Sequence, residues 1–398
     1  MSQRAMIRAR GGVMRAKAFV LIGVLLCCAW ITACGSGNAT FDGGGNTVAA
    51  PAISTTAAQN NAVIVTLSSS TPGTTIYYTL DGTKPTTSSQ QYQAPFLVAS
   101  NLTVNAIAVA SGNSSDVSSH TFSLNIPSGT LVWSDEFSNS TGTNAQPNPS
   151  VWMYDTGNSG FGNSELEYYC AWGSSAGPCS TSSPSEYVGS YAGTDGVLYI
   201  VGQNPSANVY TSARLKTQGL FSFMYGRIEA KMQLPEQQGM WPAFWMLGNN
   251  IATINWPACG ELDVMEHIDG SNPPPYYGGT PLGYDWIAGS VHGGTQSSEI
   301  SGSQTYHPTG FSAAGWHTYG MIWSKGQIQY YVDDPVHNIY ATFTPINGNF
   351  NTNTWPFDQG PQFVILNLAI GGSWPGPPDN TTVFPSQLLV DYVRIYTN

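Results

Sequence analysis

Three acids, Glu261, Asp263 and Glu266, stand within six residues of a chain in which only 9% of residues are charged. Their segment reads Cys259-Gly260-Glu261-Leu262-Asp263-Val264-Met265-Glu266-His267. Side chains alternate faces along a strand, so Glu261 and Asp263 share one face and Leu262 and Val264 the other. Glu266, five positions from Glu261, points inward under strict alternation. One extra residue at Val264-Met265, a β-bulge, returns it to the acidic face. Two carboxyls on one surface can cleave a glycosidic bond; a retaining pair stands about 5–5.5 Å apart, one as nucleophile and one as acid/base. Four regular strand steps span about 13 Å, so the two side chains must converge. Asp263 between them is placed to hydrogen-bond the nucleophile. Crowded carboxylates drive their pKa values apart, so one keeps its proton while another is ionised. Taken alone, such a segment reads better as an exposed acidic strand or half of a calcium site; the surrounding sequence reverses that preference.

The elements that must position these acids are strands. The 398 residues suit two domains and a leader. Abundant Gly (44) and Pro (26) with few charges indicate an all-β, extracytoplasmic protein with many turns. Strand patterns run over Ala62 to Leu67, Thr75 to Leu80 and Leu102 to Ala110, separated by turn signals such as Asp81-Gly82. They predict a small β-sandwich over 51–126. Asn125 to Thr130 reads as an interdomain hinge. Beyond it, Gly226 to Leu234 alternates polar and apolar residues, Trp316 to Val332 reads as a hairpin turning at Ser324-Lys325-Gly326, and Leu389 to Tyr396 is another strand. No long amphipathic helix and no internal repeat is evident. The prediction for 131–398 is a sandwich or jelly roll.

Residues 1–33 read as a signal peptide: a basic stretch, then an apolar run from Ala18 to Trp30 too short to span a membrane. Ile31-Thr32-Ala33 before Cys34 suggests lipidation at Cys34, with an ordinary signal peptide as the alternative. Residues 34–50 read as a flexible linker. The expected location is the cell surface or outer membrane through that anchor, or else secretion. Five of the 12 basic residues (Arg4, Arg8, Arg10, Arg15, Lys17) fall in the leader, leaving seven against 23 acids. Such a surface repels nucleic acid and sulfated polymers, so a neutral partner is expected; the chain is also expected to be a monomer. Cys170 and Cys179 flank a Gly/Ser/Pro-rich loop and are placed to close a disulfide in an oxidising compartment, leaving Cys259 as a buried thiol. Three cysteines at these spacings make a poor zinc site.

Two resemblances follow from longer motifs. Thr75-Ile76-Tyr77-Tyr78-Thr79-Leu80-Asp81-Gly82-Thr83-Lys84-Pro85, with Tyr92, Pro95 and Asn105-Ala106-Ile107-Ala108, resembles the fibronectin-like module at the ends of chitobiases. That module either binds glycan or spaces the enzyme from a surface; it holds no Trp for stacking on sugars, which favours the spacer. Residues 131–398 resemble glycoside hydrolase family 16, and within it the laminarinases. The match runs in order through Trp133-Ser134-Asp135-Glu136-Phe137, Gly162-Asn163-Ser164-Glu165, Tyr210-Thr211-Ser212-Ala213-Arg214, Gly239-Met240-Trp241-Pro242-Ala243-Phe244-Trp245, the acid segment, Leu366-Asn367-Leu368-Ala369-Ile370-Gly371-Gly372 and Val390-Asp391-Tyr392-Val393-Arg394.

The resemblance implies a concanavalin-like β-jelly-roll sandwich with an open glycan groove. It implies Glu261 as nucleophile, Asp263 as its helper and Glu266 as acid/base. It also implies Trp241 and Trp245 along the groove, with core packing as the alternative, and further sugar contacts at Trp256 and Trp374. Asn163, Glu165 and Arg214 match positions near the cleaved sugar, although Ala213 stands where the family usually has Gly. His292 matches a residue of the cleft floor. A structural calcium ion is implied at Glu136, Asp391 and a carbonyl near Gly196, with no cofactor for catalysis. The expected activity is endo-hydrolysis of β-1,3-glucan by double displacement. Mixed-linkage glucan, a galactan, transglycosylation and a non-catalytic glycan-binding protein are the alternatives.

Overall fold

The computed structural model describes residues 48–139, 143–191, 196–269, 285–346 and 350–398. The leader, Cys34 and most of the 34–50 linker lie outside the described residues, as does most of the Asp269 to Asp285 stretch expected to shape a groove end.

The architecture is all-β. The first unit pairs a three-stranded sheet (Ala52–Ala57, Val63–Ser68, Phe96–Val98) with a five-stranded one built on Thr75–Thr79 and Leu102–Ala110. Val65, Leu67, Tyr78, Phe96, Val104, Ala106 and Ala108 fill the space between them. This follows from period-two alternation in short strands.

The expected hinge differs from a free one. Gly129 donates to the Thr397 carbonyl at 3.0 Å, and Thr397 N–H to the Thr130 carbonyl at 2.9 Å. Leu97 donates to the Ser222 carbonyl at 2.9 Å, the Ser222 hydroxyl to the Pro95 carbonyl at 2.9 Å, and Leu97 packs into the larger domain's core. The module is therefore docked, because its Phe96–Val98 strand is bonded to the neighbouring domain. A cavity of about 710 Å³ lies at this junction, bordered by Tyr78, Phe96, Tyr225, Lys325, Asp358 and Tyr396.

The larger domain is a sandwich of a ten-stranded and a seven-stranded sheet. Gly226–Gln233 and Ser386–Tyr396 sit centrally in the first, and the expected hairpin is present as Trp316–Ser324 and Gln327–Val332. The seven-stranded sheet runs, in spatial order, Met153–Asp155, Arg214–Lys216, Gln362–Ile370, Met240–Gly248, Glu261–Glu266, Ile287–Thr295, Ser298–Tyr306. Its inner face supplies Phe244, Met246, Leu262, Val264, Met265, Val291, Val364, Leu366 and Leu368 to the core. The apolar half of each strand is spent there, which leaves the other half free to carry chemistry.

Candidate active site

The acid strand, Glu261–Glu266, is bulged. Against Met240–Gly248, Phe244 opposes Met265 and Trp245 opposes Asp263, so Val264 has no partner. Against Ile287–Thr295, Asp263 opposes Ser290 and Glu266 opposes Ala288, so two residues face Gly289 alone. Val264 and Met265 are consecutive, yet both pack inward. That double inward step returns Glu266 to the face of Glu261 and Asp263.

Each outer carboxyl accepts one indole N–H. Trp256 Nε1 donates to Glu261 Oε2 at 2.8 Å, and Trp241 Nε1 to Glu266 Oε1 at 3.0 Å. Trp256 keeps 44% of its surface exposed beside Glu261. Trp241 meets Trp374 edge-on at 5.3 Å between ring centroids, and Trp374 in turn meets the buried Trp286 at 6.0 Å. His292 stands opposite Glu261 in the ladder, with Nε2 3.2 Å from Asp263 Oδ2 and Nδ1 2.7 Å from Glu299 Oε1.

Burial pushes Glu261 well above the usual carboxylate range, with repulsion from Asp263 adding to it; His292 and the Trp256 N–H pull the other way. Glu266 rises to about 8 through burial and then Asp263, opposed by His292 and the Trp241 N–H. Burial alone would lower His292, but Asp263, Glu261 and Glu299 outweigh it and raise the ring to about 11, so it is cationic. The imidazolium lies at the Glu261–Asp263 end. It offsets part of the rise at both outer acids.

One row across the sheet reads Asp155, Arg214, Asn367, Ala243, Glu266, Ala288 in ladder register. Ala243 leaves room between Trp241 and Trp245 on the acid face. Trp245 is fixed by its N–H to Asn367 Oδ1 at 2.7 Å and by the Arg214 guanidinium 4.6 Å from its ring. Arg214 is already paired, with Nε 3.1 Å from Asp155 Oδ2. Asn163 donates to Glu165 Oε1 at 3.2 Å and Tyr169 to Glu165 Oε2 at 2.8 Å, while Asn367 donates to the Tyr169 hydroxyl at 3.2 Å. Glu165, Tyr169, Asn367 and Trp245 thus form one hydrogen-bonded chain beside the acids.

Sequence reasoning singled out neither Asn367 nor Tyr169 nor Glu299. Asn367 had a readable signal, as a lone amide in the apolar run Phe363 to Ile370. Tyr169 and Glu299 had none.

Residues 190–394 match Glycosyl hydrolases family 16, and residues 65–122 match Fn3 associated. A beta-glucanase of Rhodothermus marinus is 36% identical over 272 residues, an alignment spanning 67% of this chain and 84% of that protein.

The chain belongs to glycosyl hydrolase family 16.

A glucan endo-1,3-beta-glucosidase A1 of Niallia circulans is 31% identical over 296 residues, covering 67% of this family 16 chain and 37% of that relative. The laminarinase catalytic domain of Thermotoga maritima superposes with a TM-score of 0.53 at 32% identity, over 68% of this chain and 99% of that domain. The jelly-roll sandwich and the hydrolase class follow.

The carboxylates of the calcium set of this family 16 domain each stand beside a cation. Glu136 gives both oxygens to Arg394, at 2.9 and 2.7 Å, and Asp391 holds Lys231 at 2.8 Å. The backbone of Gly196 packs against that of Phe137. Glu261, Asp263 and His292 offer ligand atoms within 4.8 Å of one another. Both nitrogens of that ring face carboxylates, which leaves no lone pair for a metal. Cys170 and Cys179 are joined by a disulfide, and Cys259 is a buried thiol pushed up to about 12 by burial.

Proposed function

We propose that this family 16 hydrolase is an endo-β-1,3-glucanase that cuts laminarin-type glucan with retention. The observation that carries the reading is the bulge: it sets two carboxyls on one face, each capped by an indole N–H, with the His292 ring opposite Glu261. Glu266 protonates the leaving oxygen while Glu261 attacks the anomeric carbon, giving a glycosyl–enzyme. Glu266, now ionised, takes a proton from water, which attacks the same carbon and releases Glu261. Trp256 and Trp241 flank the two acids and offer indole faces to the sugars on either side of the cleaved bond. The β-glucan hydrolases among its relatives favour a neutral glucan, and seven basic residues beyond the leader disfavour a sulfated chain.

The test is reducing-sugar release from laminarin, lichenan, agarose and carrageenan, with anomer detection by proton NMR. Laminarin cleaved first to the β-anomer, and lost in Glu261→Ala, is the expected result. Activity confined to a galactan overturns the substrate, and hydrolysis by Glu261→Ala overturns the nucleophile. Export with Cys34 as lipid anchor belongs to the same reading; Cys34→Ser should abolish incorporation of labelled palmitate.

A further inference from the structure

His292 is held from two sides, and only one of its partners belongs to the acid strand. Glu299 lies on the outermost strand of the sheet, Ser298–Tyr306, where it opposes Gly294, so it reaches diagonally back to the ring. The groups facing the ring are Glu261, Asp263 and Glu266 from the acid strand and Glu299 from the outer strand. Its own strand, Ile287–Thr295, carries no other titratable residue. Trp256 lies 6.4 Å away, centroid to centroid. Tyr330 donates its hydroxyl proton to the Ser290 carbonyl, and burial first and the acids second keep that phenol protonated.

We propose that Glu299 is a positioning residue of the catalytic site: by accepting the Nδ1–H of His292 it holds the ring with Nε2 3.2 Å from Asp263 Oδ2 and keeps it cationic beside Glu261. The proposal rests on Glu261 being the nucleophile. An imidazole buried among carboxylates must choose which nitrogen carries a proton, and a second acceptor makes both nitrogens donors. Fixed in that state, the ring lowers the cost of ionising Glu261, which it faces directly across the ladder. Glu299 is 39% exposed and touches neither outer acid, so it acts through the ring.

The test uses the full chain with Glu299→Gln and Glu299→Asp. Gln keeps a hydrogen-bond acceptor but loses the charge; Asp keeps the charge. Two quantities are read: the ring nitrogens of His292 by ¹⁵N NMR across pH, and kcat/KM on laminarin across pH. In Glu299→Gln the ring should lose its proton at lower pH. Because the ring starts at about 11, its charge is lost on the alkaline side, where kcat/KM should fall about tenfold further than in the unaltered chain, with KM within about twofold. Glu299→Asp should recover most of both shifts. An unmoved ring titration, an unchanged alkaline limb, or an equal loss at every pH overturns the proposal, the last marking a merely structural role. Melting temperatures of both variants verify folding. Hydrolysis surviving in Glu261→Ala would sink the underlying reading instead, while the ring titration would still report on Glu299.

Discussion

Replacing Trp241 with Phe removes one N–H and keeps most of an aromatic surface. That N–H donates to Glu266 Oε1 at 3.0 Å, and the ring rests edge-on against Trp374. A hydrogen bond to a charged group is worth about 1.5–3 kcal/mol, and at a half-buried position water replaces part of it. A net loss of about 1.4 kcal/mol by the ionised form, with none by the protonated form, raises the Glu266 pKa by about one unit. The direction is fixed by the chemistry. Glu266 must be protonated for the first step, so activity falls as pH rises through its pKa, which lies at about 8. In Trp241→Phe that alkaline limb should move to about 9, a shift read from kcat/KM against pH, which reports the free enzyme. Weaker stacking on sugar lowers kcat/KM at all pH values and leaves the limb where it is, so the two effects separate. An alkaline limb that stays in place or moves down refutes the assignment of Glu266 as the acid, or of Trp241 as its donor.

Two further outcomes follow from the same physical reasoning. Glu186 is fully buried, neither of its carboxyl oxygens has a partner among the described residues, and burial raises it from 4.5 to about 9. Its folded pKa is the higher one, so stability is full below the ordinary value and declines as pH rises toward about 9, by ~3 kcal/mol at pH 7. Glu186→Gln cannot titrate and should flatten the melting temperature across that range; a slope unchanged from wild type would refute the burial argument. Ala243 sits between Asn367 and Glu266 in the ladder, on the face of Trp241 and Trp245. Ala243→Leu should cut kcat/KM about a hundredfold by displacing the sugar, with little change in melting temperature, and an active variant would show that substrate does not cross this row.

The sequence by itself determined the class of fold and the three acids. Alternation in Gly226–Gln233 and Glu261–Glu266 is a local, period-two property, and it assigns inward and outward residues before any partner strand is known. The five-residue spacing of Glu261 and Glu266 made the bulge legible, because no regular strand puts both on one face. The Cys170–Cys179 bridge was legible for the same reason, as its ends are close along the chain. What tertiary structure alone decided is the company each acid keeps. Trp241 reaches Glu266 across a strand pair, and Arg214 meets Asp155 rather than standing free. Arg394 and Lys231 occupy the carboxylates that the family pattern gives to calcium. Asn367 joins Trp245 to Tyr169, a hydroxyl 198 positions away in the chain. Each of these pairings depends on strand order and register. Those are settled by how the seventeen described strands of the larger domain share one core between two sheets, a global packing condition that no window of the sequence contains.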